Sequence, residues 1–170
     1  MTSPDLQFVE TDELSRVCRG DHDYPHAILG PHIHDGRVTL RVLEAHATGV
    51  VARGPWGETR LEREHLDIWS GVLPGPGVPQ YHLVIENWGE AVVQEDPYRF
   101  EPTLSDFDLH LIREGNHELV WTKLGAHVRE YDGVSGTAFA VWAPAAKGVR
   151  VAPATGPRLA AQLPMRKLGE

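Results

Sequence analysis

The sequence predicts a mainly β protein whose N-terminal part is a β-sandwich. Several short runs of residues alternate between apolar and polar side chains with a period of two, and turn signals rich in glycine and proline separate them. Strands that follow one another at roughly 8–12 residues are typical of β-sandwich sequences. The 3.6-residue period of a long helix is absent from this part of the chain.

The predicted strands begin after a polar start. Residues 1–20 are polar and weakly helical at best, and we interpret them as a leader. The period-two runs are RVTLRVL (37–43), LDIWSGVL (66–73) and PQYHLVIE (79–86). The turn signals are HDG (34–36), RGPWG (53–57), LPGPG (73–77) and NWG (87–89). We therefore predict one immunoglobulin-like β-sandwich module over residues 21–100.

The pattern changes after DPYRF (96–100). Residues 101–131 predict a joint with a short helix, for which Asn116 fits as the N-cap and Gly125 as the end. Residues 106–112 predict a turn or one helical turn. Strand character returns in AHVREY (126–131), GTAFAVWAP (136–144) and residues 149–151, so 132–170 predict the start of a second, incomplete sandwich.

Composition excludes several classes of partner and compartment. The net charge of −8 argues against nucleic acid and anionic membrane, because both attract basic surfaces. No apolar run approaches the ~20 residues that span a bilayer. The N-terminus resembles no export signal, and Cys18 is the only cysteine, which together predict a cytoplasmic protein without disulfides.

The stretch DPYRFEPTLSDFDLHL (96–111) looks reactive because it is crowded with carboxylates and aromatic rings. Glycosidic chemistry needs two carboxyl groups that face each other across a bond, roughly 5–9.5 Å apart. Asp106 and Asp108 are only two residues apart, and short acids readily cap free backbone N–H groups. We predict a structural stretch and no catalytic residue in this chain.

Histidines suggest a metal site that the spacing does not support. His32 and His34 form an H-x-H pair of the kind that can begin a metal site. A cupin-like site would need a glutamate at position 38 or 39, where Val38 and Thr39 stand. The chain also lacks a glycine-rich phosphate loop. We predict neither a metal nor another cofactor.

The five tryptophans divide into two groups. Trp69 and Trp142 lie within strand patterns and are predicted core residues, and Trp121 is predicted to pack the short helix down. Trp56 and Trp88 lie in glycine-flanked turns, where a large ring is harder to bury. Exposed rings can stack on the C–H faces of sugars, so these two are the candidate carbohydrate-binding residues. The alternative is that each ring packs against a neighbouring loop.

The string DPYRFEPTLSDFDLHLIREGNHELVWTKLGAHVREYDGVSGTAFAVWAPAAKGVRV (96–151) resembles the glycogen branching enzymes, the 1,4-α-glucan branching enzyme family. DYPHAILGPH (23–32) resembles the opening of the first module of that family. The resemblance covers roughly residues 20–151. Residues 152–163 depart from the family pattern before PMR (164–166) resembles it again, and we hypothesise a compensated frameshift there.

The resemblance implies two N-terminal β-sandwich modules, the second of glycogen-binding type, followed by a (β/α)8 barrel. In the family that barrel carries an aspartate nucleophile, a glutamate acid/base and a stabilising aspartate, which move an α-1,4 glucan chain into α-1,6 linkage. A barrel needs about 250 residues, and only 20 follow Arg150. We therefore expect an N-terminal fragment that docks α-glucan of glycogen or amylose type and is inactive alone.

Other interpretations remain open at the level of sequence. The fragment's expected partner is the missing catalytic domain. A stand-alone carbohydrate-binding or scaffold module, or a non-functional gene remnant, would have the same sequence features.

Overall fold

A computed structural model describes residues 6–154 and 162–169 of the chain. It divides into two compact units, one of Met1–Arg99 with Gly148–Arg166 and one of Phe100–Lys147 with Lys167–Glu170. We call them the first and the second unit. The prediction of a mainly β chain is confirmed, because strands dominate both units. The predicted four-part division at residues 20, 100 and 131 stays a prediction.

The first unit contains one antiparallel sheet of seven strands. They are β1 (Gly30–His34), β2 (Arg37–Leu43), β3 (Gly49–Gly54), β4 (Gly57–His65), β5 (Ile68–Leu73), β6 (His82–Asn87) and β7 (Glu90–Gln94). Their order in the sheet is β1-β2-β5-β4-β3-β6-β7. The pairing of β4 with β5 is irregular between Arg63 and His65, and such a bulge bends a strand.

The main core lies between the two halves of this sheet. Alternate side chains of β2 and β5 pack in one cluster with those of β3, β4 and β6, although β2 and β6 are far apart in the strand order. The sheet therefore folds over itself, as a sandwich does. The cluster comprises Val38, Leu40, Val42, Ala47, Val50, Ala52, Leu61, Trp69, Leu73, Tyr81, Leu83 and Ile85. The prediction that Trp69 is a core residue is confirmed.

A helix covers the other face of β2 and β5, which corrects the prediction of a weakly helical start. The helix α1 (Thr11–Arg19) buries Leu14 and Val17. They pack in a second cluster with Ile28, Leu29, Ile68 and Tyr98. The helix ends at Gly20, whose φ of 70° is the left-handed conformation that glycine adopts easily. Packing of this face stabilises so short a helix.

A buried ion pair holds the segment that precedes α1. The Arg41 guanidinium on β2 donates to both carboxylate oxygens of Glu64 on β4, at 2.8 and 3.0 Å, and the two side chains are 0% and 5% exposed. Arg41 also donates to the carbonyl of Gln7, and the N–H of Gln7 donates to Thr39 Oγ1 at 3.1 Å. These bonds tie the N-terminal segment to β2.

The second unit contains a helix that is longer than the turn or single helical turn predicted there. The helix α2 (Asp106–Glu114) starts at a capping box of Ser105 and Asp108, and ends at Gly115 with φ 72°. The helix predicted over 116–124 is wrong, because only Val120–Thr122 forms a single 3₁₀ turn there. Asn116 and Gly125 resemble helix caps. The capping box at Ser105 and the left-handed glycine at Gly115 are the caps that the helix uses.

Two strands complete the second unit, and its tryptophans are not buried as predicted. The strands β8 (Gly125–Tyr131) and β9 (Val134–Ala140) pair antiparallel around an Asp-Gly turn. The core prediction for Trp142 is wrong, because it lies just after β9 and is 53% exposed. The packing prediction for Trp121 is also wrong, because its side chain is 64% exposed in the 3₁₀ turn.

Two short strands near the end of the chain belong to the first unit. The strands β10 (Arg150–Val151) and β11 (Leu163–Pro164) pair antiparallel. The Tyr98 hydroxyl donates to the carbonyl of Pro164 at 3.2 Å, and the Arg150 guanidinium donates to the carbonyl of Arg19. Most of the 152–163 segment, for which we hypothesise a frameshift, lies outside the described residues.

The buried ion pair allows a test of stability. Glu64→Leu leaves the Arg41 guanidinium buried without a carboxylate, so we expect the free energy of unfolding to fall by about 3–5 kcal/mol. The double variant Arg41→Met/Glu64→Leu removes both charges and should recover most of this loss. Urea denaturation measures both values.

The exposed ion pair of Arg53 and Glu58 supplies the control for that measurement. Glu58→Leu should change the free energy of unfolding by less than about 1 kcal/mol, because water screens an exposed pair. A loss in Glu64→Leu no larger than that of Glu58→Leu would contradict the structural role of the buried pair.

Candidate functional site

Trp88 lies at the tip of the hairpin that joins β6 and β7. Asn87 pairs with Glu90, and Trp88 and Gly89 form a two-residue turn with φ values of 45° and 96°. Turns of this kind favour asparagine and glycine, because both central residues need positive φ. A bulky residue in the left-handed region is strained. The Trp88 side chain is 88% exposed, so burial does not offset that strain.

Beside this turn, an ion pair crosses the outer face of the sheet. Arg60 on β4 and Glu86 on β6 lie on opposite sides of β3, and their side chains form a fork of two hydrogen bonds at 2.9 and 3.3 Å. The hydrogen bonds to Glu86 raise the pKa of the Arg60 guanidinium. The carbonyl of Glu86 accepts from the N–H and the hydroxyl of Thr48, at 2.8 and 3.1 Å. This part of the face is therefore both charged and well ordered.

Trp56 lies at the other end of the same strands and has a different environment. Its ring packs against the main core, and its Nε1 donates to Thr59 Oγ1 at 3.1 Å. Gly49 and Gly54 mark the two ends of β3, near Trp88 and Trp56 respectively. Five residues of strand separate them, which is about 17 Å. The structure does not bring the two candidate tryptophans together.

Two carboxylates of the reactive-looking stretch, Asp96 and Asp108, have structural roles. The Asp108 carboxylate accepts from the Ser105 N–H and hydroxyl, and also contacts His117 Nε2 at 3.1 Å and Lys123 Nζ at 3.0 Å. The bonds from Ser105, with those from His117 and Lys123, hold the pKa of the Asp108 carboxyl well below its usual range. Asp108 therefore acts as the cap of α2 and anchors the loop that follows it.

Asp96 has a similar structural role in the first unit. Its carboxylate is buried and accepts from the Tyr81 hydroxyl at 2.6 Å and from the Tyr98 N–H at 2.9 Å. Burial, and then the charge of Asp96, raise the pKa of the Tyr81 hydroxyl far above its usual range. Asp96 therefore joins the start of β6 to the turn that follows β7.

The histidines do not form a metal centre. His32 Nε2 lies 3.2 Å from the carbonyl of Leu29, and His34 contacts Asp35 at 3.3 Å on the surface. Within residues 6–154 and 162–169, no group of three or more His, Cys, Asp or Glu residues could hold a metal ion. His26 packs edge-on against Tyr98 with ring centroids 4.9 Å apart. Burial, with the nearby charges of Arg166 and His32, lowers the pKa of His26 to about 3.

A serine–histidine contact also proves to be structural. Ser15 Oγ lies 2.8 Å from His65 Nε2, the distance expected of a nucleophile and its base. The Ser15 hydroxyl also donates to the carbonyl of Thr11 at 2.9 Å, the backbone bond that a serine inside a helix often makes. The contact with His65 therefore joins α1 to β4.

Sequence reasoning located Trp88 but missed the charged residues beside it. Arg60 and Glu86 are 26 residues apart, and nothing in the sequence indicates that they meet. Only the pairing register of β3 with β4 and β6 brings them together. The aromatic turn, by contrast, is visible as NWG between two alternating runs.

The fold defines a chain of antiparallel β modules, and an aromatic turn is exposed on the first of them. Residues 10–98 match the family described as alpha-1,4-glucan branching enzyme GlgB, N-terminal domain. This match covers just over half of the chain, which belongs to that family. Residues 123–170 match carbohydrate-binding module 48, the isoamylase N-terminal domain.

Curated relatives carry the same name. The chain is 44% identical over 158 residues to 1,4-alpha-glucan branching enzyme GlgB of Kitasatospora aureofaciens, which covers 93% of this chain and 21% of the relative. It is 43% identical over 171 residues to GlgB 2 of Streptomyces coelicolor, covering 99% and 22%. It is 46% identical over 155 residues to GlgB of Leifsonia xyli subsp. xyli, covering 86% and 21%. The chain thus spans about a fifth of their length and matches only their N-terminal and carbohydrate-module region.

The lengths of the helices bear on whether the chain could cross a membrane. Among residues 6–154 and 162–169, none of the helices has the length and apolar character needed to cross a bilayer.

The low pKa of His26 predicts a pH-dependent stability. An unfolded chain protonates this imidazole below about pH 6.5, whereas the folded chain keeps it uncharged down to about pH 3. Because the unfolded state binds more protons in this window, stability falls as the pH drops from about 6.5 toward 3. His26→Phe should flatten this part of the curve of melting temperature against pH.

His34→Phe is the control, because His34 is exposed and should leave the wild-type curve unchanged. Equal curves for wild type and His26→Phe would contradict a buried, uncharged His26.

The capping box gives a second stability test. Ser105→Ala removes the hydroxyl that caps α2, and should lower the free energy of unfolding of the second unit by about 1 kcal/mol. Ser135→Ala, in an exposed strand position of the same unit, should change it by less than about 0.5 kcal/mol. Thermal denaturation of both variants compares them, and equal effects would show that the box does not hold the helix.

Proposed function

We propose that this chain is the glucan-docking N-terminal part of a 1,4-α-glucan branching enzyme, in which a separate catalytic domain makes and breaks bonds. Its ligand is a neutral α-glucan of glycogen or amylose type. Family membership, the match to a carbohydrate-binding module and the names of the relatives support this proposal. The single observation that carries docking is the exposed, strained Trp88 ring.

Physical chemistry favours a sugar as the partner of Trp88. A flat aromatic ring offers apolar contact to the C–H face of a sugar, while the sugar hydroxyls stay in water or bond to polar neighbours. The net charge of −8 makes a neutral polysaccharide a better partner than an anionic polymer.

Trp56 is the second proposed glucan contact. Because it lies about 17 Å along β3 from the Trp88 turn, it would bind a different part of the chain of sugars. Its ring already packs on the main core, so its replacement also affects folding.

The proposal also covers the catalytic domain and the cellular compartment of the protein. The relatives are about five times longer than this chain, and we propose that the remainder of such a protein supplies the branching activity. We place the protein in the cytoplasm, which suits a chain whose only cysteine, Cys18, is unpaired.

Binding to glycogen tests the docking role. Affinity electrophoresis of the full 170-residue chain in gels with and without glycogen should show retardation by the polysaccharide. Trp88→Ala should weaken binding by about tenfold, since an aromatic contact contributes about 1 kcal/mol. Its melting temperature should stay at or above that of the wild type, because the variant relieves strain and exposes nothing.

Trp56→Ala is the comparison variant, because the Trp56 ring packs against the main core. It should lower the melting temperature through the lost core contact, whatever its effect on glycogen. Retardation by glycogen that is equal in wild type and Trp88→Ala would contradict docking at this turn. Absence of any retardation of the wild-type chain would contradict the proposed function.

A further inference from the structure

We infer that the ion pair of Arg60 and Glu86 is the polar half of the docking site at Trp88 and binds the hydroxyl groups of the glucan. This inference rests on the proposed function. It adds a specific pair of residues that would orient the sugar ring on the indole.

The register of the sheet places the pair beside the tryptophan. Glu86 lies on β6 two residues before Trp88, about 7 Å along the chain. Gly49 pairs directly with Glu86, and Val51, two residues further along β3, pairs with Arg60. Both charged side chains therefore lie on the outer face of the sheet, at the end that carries the turn.

Gly49 lets the two side chains meet. A Cβ atom at this position would overlap Glu86 Oε2 and would lie only 2.6 Å from Arg60 Nη2. The guanidinium and the carboxylate thus meet directly over the backbone of β3, across a strand that would otherwise separate them. Thr48 donates two hydrogen bonds to the Glu86 carbonyl. These bonds hold the backbone that carries the Glu86 carboxylate in place.

The chemistry of this pair suits a neutral, hydroxyl-rich ligand. A guanidinium has five N–H donors and a carboxylate about four acceptor positions, so the two bonds between them leave several of each for a ligand. Sugar hydroxyls both donate and accept, and hydrogen bonds to charged groups are stronger than those between neutral groups. Because the pair carries no net charge, it attracts hydroxyl groups without selecting an ionic ligand.

The pair contributes little to folding, which separates its binding role from a structural one. Its side chains are 63% and 38% exposed, and exposed pairs contribute about 0–1 kcal/mol. Variants of Arg60 should therefore fold, and their binding can be measured directly.

Binding by variants of the full chain tests the inference. With maltoheptaose in calorimetry and glycogen in affinity gels, Arg60→Met should weaken binding roughly three- to tenfold, the effect of losing one or two charged hydrogen bonds in contact with water. Gly49→Ala should weaken it in the same direction, because the added Cβ displaces the pair while Arg60, Glu86 and Trp88 all remain.

An exposed ion pair outside β3, β4 and β6 supplies the matched control. Arg19 at the end of α1 pairs with Asp21, and their side chains are 56% and 52% exposed. Arg19→Met removes the same charge as Arg60→Met and should bind glucan as the wild type does. If Arg19→Met weakens binding as much as Arg60→Met, the general charge of the chain is responsible and the inference is wrong.

Failure of the inference and failure of the proposed function give different results. Loss of binding in Trp88→Ala with wild-type affinity in Arg60→Met and Gly49→Ala overturns the inference and leaves docking intact. A wild-type chain that binds neither maltoheptaose nor glycogen overturns both.

Discussion

The register between β3 and β6 is the constraint on which the candidate site depends most. It points Leu83 and Ile85 into the main core and places Glu86 opposite Gly49. Side chains alternate between the faces of a strand, so a slip by one residue would bury Glu86 and expose both apolar residues. The core therefore fixes the site, and the exposed residues need no contacts of their own to be held in place. The same register separates the Trp88 turn from Trp56.

Carboxylates that look reactive in the sequence hold the structure together. Asp96 joins Tyr81 to the turn at Tyr98, and Asp108 caps α2. Glu64 pairs with a fully buried guanidinium. Each of these acids accepts two or more hydrogen bonds, so its lone pairs are already engaged. Since buried charges are tolerated only when paired, such positions stabilise the fold and are poorly suited to attack a substrate.

The sequence predicts the β elements well where local chemistry specifies them. The strand β2 has the predicted limits of 37–43, and the predicted turns at 34–36 and 87–89 both contain residues with positive φ. The helices were harder, because α1 is short and its stability depends on packing against Ile28 and Ile68. The burial of Trp142 was predicted wrongly, because an alternating pattern identifies a strand without showing whether another layer covers it. Trp121 was predicted to pack a helix that does not form. The contact of Arg60 with Glu86 depends on the registers of two strand pairs, so local sequence patterns cannot predict it.

The energetic contrast between the two ends of β3 makes Trp88 the stronger of the two proposed glucan contacts. At the Trp56 end, the ring contacts the core and donates a hydrogen bond, so folding itself explains the residue. At the other end, Trp88 combines a strained backbone, which costs about 1–3 kcal/mol, with a side chain that removes almost no surface from water. The exposed ion pair beside it adds little stability. Asparagine would suit the backbone of this turn better, so the folding of the hairpin does not account for Trp88, whereas the proposed glucan contact does.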